Sequence, residues 1–341
     1  MTSVNEEEIK LRKRMCRIVS ILCAAAMLVA ALGACNADSE GPSDAQETQT
    51  PPVQSEPINE PSYEPIDEPN YEPDDDQVGE FGAGDKRFEL EGIREKDGSP
   101  LKNKTIYWLG SSVTVGINNH SLSMAEYLAA RTGAISVKDA ISGTTILDTG
   151  VENSKSYTSR LVNSERYDTA APIDAFICQI STNDAKSENI NFWGAITDAD
   201  VTDMDAFDLS TSIGGVEFII AYVTETWHCP VYFYSGAYFG DDGSRSNADP
   251  SGSDYGQFVN EVIAVAEKWN AIDGYTVEVI DLYHDEDFNA RVSDTYYEWC
   301  MRDAIHPLQA GYLQWWTPYF EEFLSERLGR RVHLSLIFDC L

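Results

Sequence analysis

The sequence predicts a doubly wound, three-layer α/β/α sandwich on a five-stranded parallel sheet, and three observations predict it. Five short apolar runs rich in β-branched and aromatic residues read as buried strands. Segments with apolar residues at helical spacing lie between them. Strands and helices alternate along the chain, which implies crossover connections and a sheet covered on both faces.

In chain order the strands are expected at Thr105–Leu109, Ala134–Ile141, Ile173–Ile180, Val231–Ser235 and Tyr275–Leu282. A short helix is expected over Ser121–Arg131. Thr211–Trp227 places Val216, Ile219, Ile220 and Val223 on one helical face, and Tyr255–Trp269 does the same with Phe258, Val262, Val265 and Trp269. After Pro307 an amphipathic helix is expected to run through Leu328, with Leu308, Tyr312, Trp315, Trp316, Phe320, Phe323 and Leu324 on a broad apolar face. These elements fill residues 86–330. For residues 331–341 an added edge strand and an unstructured tail are both open.

The chain has 341 residues, but its first 85 read as addressing and spacer. Lys10, Arg12, Lys13, Arg14 and Arg17 precede an apolar run from Ile18 to Leu32, then Leu32-Gly33-Ala34-Cys35. That run falls short of the ~20 residues that span a bilayer. Residues 1–34 therefore read as a signal peptide. LGAC resembles the bacterial lipobox, which implies cleavage before Cys35, lipidation of Cys35 and a location on the outer face of the cytoplasmic membrane. Lipid incorporation that disappears in Cys35→Ala checks this; a variant still labelled would overturn it. Residues 36–85 hold fifteen Asp or Glu, no Lys or Arg, and eight prolines. Such a segment cannot bury enough apolar surface to fold. Its near-repeat, EPINEPSY then EPIDEPNY, favours extended geometry, so residues 35–85 read as a stiffened spacer.

The formal net charge is −33. Removing residues 1–34, with five basic and three acidic residues, leaves −35, of which −15 lies in the spacer and −20 in the domain. A surface this acidic argues against nucleic acid or anionic lipid as a partner; contact with the membrane is expected through the anchor alone. Beyond Cys35 the cysteines are Cys178, Cys229, Cys300 and Cys340. Three pairings are conceivable, and the strand-like run around Cys178 favours a buried free thiol there. No CxxC or Cys/His cluster suggests a metal.

In an open parallel sheet the binding crevice lies beyond the carboxyl ends of the strands. The first strand ends in Gly110-Ser111-Ser112, the second in Ser142-Gly143-Thr144, the third in Ser181-Thr182-Asn183-Asp184. Each alone is ordinary turn chemistry. Asp303-Ala304-Ile305-His306-Pro307 changes the reading. Pro307 suits the first helical position, which places His306 near a helix cap, where the helix dipole disfavours the protonated ring. Asp303 is spaced to orient the imidazole, so a strand-end serine, His306 and Asp303 form a nucleophile, base and orienter. An α/β-hydrolase elbow is excluded because Thr114 stands where its second glycine belongs.

These blocks resemble those of the SGNH or GDSL hydrolase family. Gly110-Ser111-Ser112 matches the first block, Gly143 the second, Thr182-Asn183-Asp184 the third and Asp303-Ala304-Ile305-His306 the last, over roughly residues 104–328. The resemblance implies a flavodoxin-like fold and ester hydrolysis through an acyl-enzyme, without cofactor. It implies Ser112 as nucleophile, His306 as base and Asp303 as its orienter. The oxyanion hole would be the Ser112 and Gly143 N–H groups with the Asn183 side-chain amide. Ser111 departs from the pattern, since the family keeps aspartate there, so the local loop bonding must differ.

The insertion from Lys186 to Ser212 is long enough to form a lid or substrate wall. Within it Trp193 is a candidate to stack on a sugar ring, or else to pack back on the domain; Tyr238, after the fourth strand, is a second pocket candidate. His284-Asp285-Glu286-Asp287 reads as a helix N-cap rather than a metal site. The expectation is a monomeric, lipid-anchored serine esterase removing small acyl groups, such as acetyl, from carbohydrate or wall polymer. The alternative is a surface lipoprotein that binds glycan without turning it over.

Overall fold

The computed structural model describes residues 90–117, 119–151, 154–238, 252–292, 297 and 300–329. The expected signal peptide, Cys35, the spacer and the tail at 331–341 lie outside the described residues.

Five strands, β1 (Thr105–Gly110), β2 (Ile135–Ala140), β3 (Ala175–Gln179), β4 (Val231–Tyr234) and β5 (Val277–Ile280), form one parallel sheet in the order β2-β1-β3-β4-β5. This is the flavodoxin-like doubly wound order, with its switch point between β1 and β3. All five lie inside the expected runs, give or take one residue. β3 and β4 are buried at every position, as is β1 beyond Thr105. Edge strands β2 and β5 are only partly buried, which is why charged Lys138 and Glu278 are tolerated there.

Side-chain alternation splits the core into two layers. Tyr107, Leu109, Phe176, Cys178, Val231 and Phe233 point to one face, and Ile106, Trp108, Ala175, Ile177, Tyr232 and Tyr234 to the other. The first face is covered by α3 (Tyr157–Asn163), α4 (Ser212–Trp227) and α5 (Gly252–Asn270). The second is covered by α2 (Met124–Thr132), α6 (Glu286–Ala290) and α7 (Thr317–Leu328), while the four-residue α1 (Ser112–Val115) follows β1 directly.

Caps explain the helix boundaries. A reciprocal capping box between Ser123 and Glu126 starts α2 at Met124, three residues later than the apolar pattern suggests, and Gly133 in the left-handed region ends it. Thr211 accepts from the Gly214 N–H to start α4. Asp285 accepts from the Phe288 N–H to start α6, the capping role expected of that acidic run.

Pro307 is not the first residue of a helix. It forms an isolated antiparallel bridge with Met301: the Arg302 N–H donates to the His306 carbonyl (2.8 Å) and the Leu308 N–H to the Cys300 carbonyl (2.7 Å). The helix therefore starts only at residue 309 and passes through a wide π segment, Gly311–Trp316, before α7. Glycine at 311 is required by close approach, since a Cβ there would sit 2.1 Å from the Cys300 carbonyl oxygen. The dipole argument for His306 falls with the missing cap; its ring is held by the bridged loop instead.

The insertion lies on the first face. Ile196, Val201, Met204, Phe207 and Leu209 pack on that core. Buried Glu217 of α4 accepts from the Thr197 N–H (3.1 Å), the Thr197 hydroxyl (3.0 Å) and Lys268 Nζ (2.5 Å), pinning the insertion to α4 and α5 through charge-assisted bonds.

Candidate active site

The site sits at the carboxyl ends of β1 and β3, at the switch point. Ser112 is the first residue of α1, 5% exposed, and its Oγ lies 2.8 Å from His306 Nε2. His306 Nδ1 lies 2.9 Å from both Asp303 Oδ1 and Asp303 Oδ2. With Nδ1 against a carboxylate, its partners assign the proton to Nδ1, leaving Nε2 to accept from the serine hydroxyl. Asp303 Oδ1 also accepts from the Ile305 and His306 N–H groups, both at 2.9 Å. These local bonds show why a three-residue spacing suffices: the loop tip folds its own carboxylate back onto the ring. Burial pushes Asp303 up, but the bonds from the His306 ring and the two N–H groups outweigh it and hold the carboxyl at about 2.

The loops after β2 and β3 are stapled together. The Thr144 carbonyl accepts from Ser181 Oγ (3.0 Å) and from Asn183 Nδ2 (3.0 Å). One amide hydrogen of Asn183 is thus engaged and the second is available. Asp184 is fully buried and accepts from the Ile146 N–H (2.9 Å), the Leu147 N–H (3.1 Å) and Ser212 Oγ (2.7 Å). Burial pushes Asp184 up to about 6 even though these donors pull the other way. Gly143 holds φ +78°, the left-handed region that favours glycine, with open space where a Cβ would stand.

Trp193 braces the insertion against the domain. Its Nε1 donates to the Asp184 carbonyl (2.8 Å) and its ring packs on Phe258 with centroids 5.2 Å apart. Asn189 Nδ2 donates to the Asn183 carbonyl (2.8 Å), so the insertion clamps both carbonyls of the Asn183-Asp184 pair. This favours the packing alternative: the indole N–H and the ring both have partners within the domain. Tyr238 is half-buried, with its N–H on Asn289 Oδ1 (3.0 Å) and its ring edge-on to Tyr283.

Sequence reasoning missed Arg160. Its guanidinium donates to the Asp139 carboxylate (2.5 Å), the Asp139 carbonyl (2.9 Å) and the Gly110 carbonyl (2.8 Å), joining β2 to the end of β1. Nothing in Ser-Arg-Leu-Val signals this. Also missed was Gln179, although a glutamine inside an otherwise apolar strand run was a legible signal. Cys178 is a buried free thiol, as expected.

Ser111 Oγ and Tyr157 Oη are both fully buried, and neither meets hydrogen-bond geometry with a partner among the described residues. Nothing in the structure explains why serine stands at 111.

No family model matches the sequence, and no curated protein matches it. Among solved structures, a protein from Lactobacillus plantarum is similar at TM-score 0.47 and 20% identity, over 66% of this chain and 98% of that one. An acetylxylan esterase from Geobacillus stearothermophilus is similar at TM-score 0.42 and 15% identity, over 65% of this chain and 94% of that one. A carbohydrate esterase family 2 enzyme with a carbohydrate-binding domain, from Corynascus thermopiles, is similar at TM-score 0.41 and 15% identity, over 70% and 69% of the two chains. At these values the likeness bears on neither substrate nor activity.

Proposed function

We propose that the protein is a serine ester hydrolase of the SGNH type that releases small acyl groups, O-acetyl on carbohydrate or wall polymer, and is held at the cell surface by lipid on Cys35. The observation that carries the catalytic reading is the unbroken relay from Ser112 Oγ to His306 Nε2, and from His306 Nδ1 to the ionised Asp303.

In this reading His306 takes the proton as Ser112 Oγ bonds to the ester carbonyl carbon, and the carbonyl π electrons move to oxygen. The Ser112 N–H makes no hydrogen bond among the described residues and joins the Gly143 N–H and the second Asn183 amide hydrogen as oxyanion donors. Collapse breaks the bond to the alcohol oxygen, which leaves with the proton from His306. Water, deprotonated by the same ring, then attacks the acyl-enzyme and frees the acid and Ser112. Asp303 stays ionised and stabilises the imidazolium in both steps.

Incubation with a fluorophosphonate is expected to give one adduct on the Ser112 peptide, and acetylated polysaccharides are expected to release acetate. Glycan binding without adduct or acetate release would overturn this reading in favour of the non-catalytic alternative. An adduct with release only from non-carbohydrate esters would keep the chemistry and reject the substrate.

A further inference from the structure

We propose that Gln179 is a positioning residue for the nucleophile turn, acting with Thr114 and Tyr234 as a buried clamp that sets the direction of the Ser112 N–H and hydroxyl. The inference rests on Ser112 being the nucleophile, and goes beyond it by assigning what holds that serine.

Gln179 is the last residue of β3, beside β1 in the sheet, and is 1% exposed. Its single carbonyl oxygen, Oε1, accepts from the Ser111 N–H (3.0 Å), the Thr114 N–H (3.1 Å) and the Thr114 hydroxyl (2.7 Å). The Thr114 hydroxyl in turn lies 2.5 Å from Tyr234 Oη of β4. Since the threonine proton goes to Gln179, the tyrosine donates to Thr114. Tyr234 is fully buried, and burial pushes its hydroxyl well above the usual tyrosine range, so it remains a donor.

The two N–H groups that Gln179 captures belong to residues 111 and 114, on either side of Ser112. Fixing both holds the peptide planes just outside those that flank Ser112, and the Val115 N–H on the Ser111 carbonyl (2.9 Å) holds the plane that carries the Ser112 N–H, which itself stays uncommitted. Within the same core layer as Tyr234, Tyr312 Oη donates to the Val113 carbonyl (2.7 Å), so a second tyrosine helps hold the turn. Ser111 supplies no such support: as N-cap it makes no side-chain bond to α1. The clamp also explains the motif. A Cβ at Gly110 would sit 1.7 Å from Thr114 Oγ1 and 3.0 Å from Gln179 Oε1, so glycine at 110 and threonine at 114 are one requirement.

Misplacement of a reacting group by about 1 Å lowers a rate by about 10²-fold. Gln179→Met, which keeps the shape and removes the acceptor, is therefore expected to lower kcat on a short-chain acetyl ester by about 10²-fold. KM is expected to stay within about threefold, because the clamp touches no substrate. Gln179→Glu keeps an acceptor at Oε1 and is expected to recover most of kcat. Rates are divided by the number of sites that take fluorophosphonate at long incubation, which removes any unfolded fraction. Should Gln179→Met fail to fold, Thr114→Val against Thr114→Ser decides, with serine expected to restore what valine loses.

Wild-type kcat per labelled site in Gln179→Met, or Glu and Ser variants no better than Met and Val, would overturn the clamp while leaving Ser112 as nucleophile. Absence of an adduct on Ser112 in the wild-type protein would overturn both.

Discussion

Ser112→Ala and His306→Ala are each expected to lower kcat on a short-chain ester by about 10⁴- to 10⁶-fold, with the double variant no slower than the worse single one. The size follows from the geometry. The serine is an activated nucleophile only while Nε2, 2.8 Å away, can take its proton. Removing either partner disables the same step, so the losses do not add. A loss of 10⁴ corresponds to about 5 kcal/mol of barrier. Residual turnover above the uncatalysed rate is expected, because the oxyanion donors survive both substitutions. Steady-state rates for the two single variants and the double variant check this. Additive losses would mean that the two residues act in different steps, and unchanged rates in Ser112→Ala would remove the assignment altogether.

Asp303→Ala is expected to lower kcat by about 10³- to 10⁴-fold, and Asp303→Asn by less. Alanine leaves Nδ1 without an acceptor and strands the Ile305 and His306 N–H groups. Asparagine differs because Nδ1 is equally near both carboxylate oxygens. With its amide oxygen held at the Oδ1 position by the two N–H groups, asparagine can still accept from Nδ1–H and preserve the productive tautomer. It loses only the charge that stabilises the imidazolium. Equal losses in the two variants would show that the amide turns and forces the other tautomer.

The same carboxyl sets a pH dependence. Its native value, about 2, lies below the 3.8 of a free aspartate. The stability it contributes is therefore present above about pH 4 and is lost as pH falls towards 2. The melting temperature of the wild type should approach that of Asp303→Asn over that acid window. A difference that does not narrow as pH falls from about 4 towards 2 would contradict the assignment.

Much of this arrangement is legible in the sequence, for reasons that differ by element. β1, β3 and β4 are readable because helices cover both faces of a parallel sheet, so their strands are continuous apolar runs. Ser112, Asn183, Asp303 and His306 are readable because chemistry at strand ends restricts residue type. Pro307 misleads because a residue without an N–H suits a bridge as well as a first helical turn, and only the pairing of Arg302 and Leu308 decides between them. Trp193 was open between sugar platform and packing because its partners, Phe258 and the Asp184 carbonyl, are remote from it in the chain or belong to the backbone. The Gln179 clamp is the deepest case. Three donors on one oxygen come from segments 65 and 68 residues away, and Tyr234 joins from a third strand through Thr114, so no local pattern holds them.

Ser112 and His306 share a hydrogen bond across 194 residues of chain. Contacts so distant in sequence form only after the intervening segments have docked, because loop closure is unfavourable until the surrounding packing rewards it. Reactivity at Ser112 is in that sense a late event of folding: a chain with β1 to β4 in place would carry the serine without its base. A site wired in this way is complete only once the loop that carries His306 has docked beside β1.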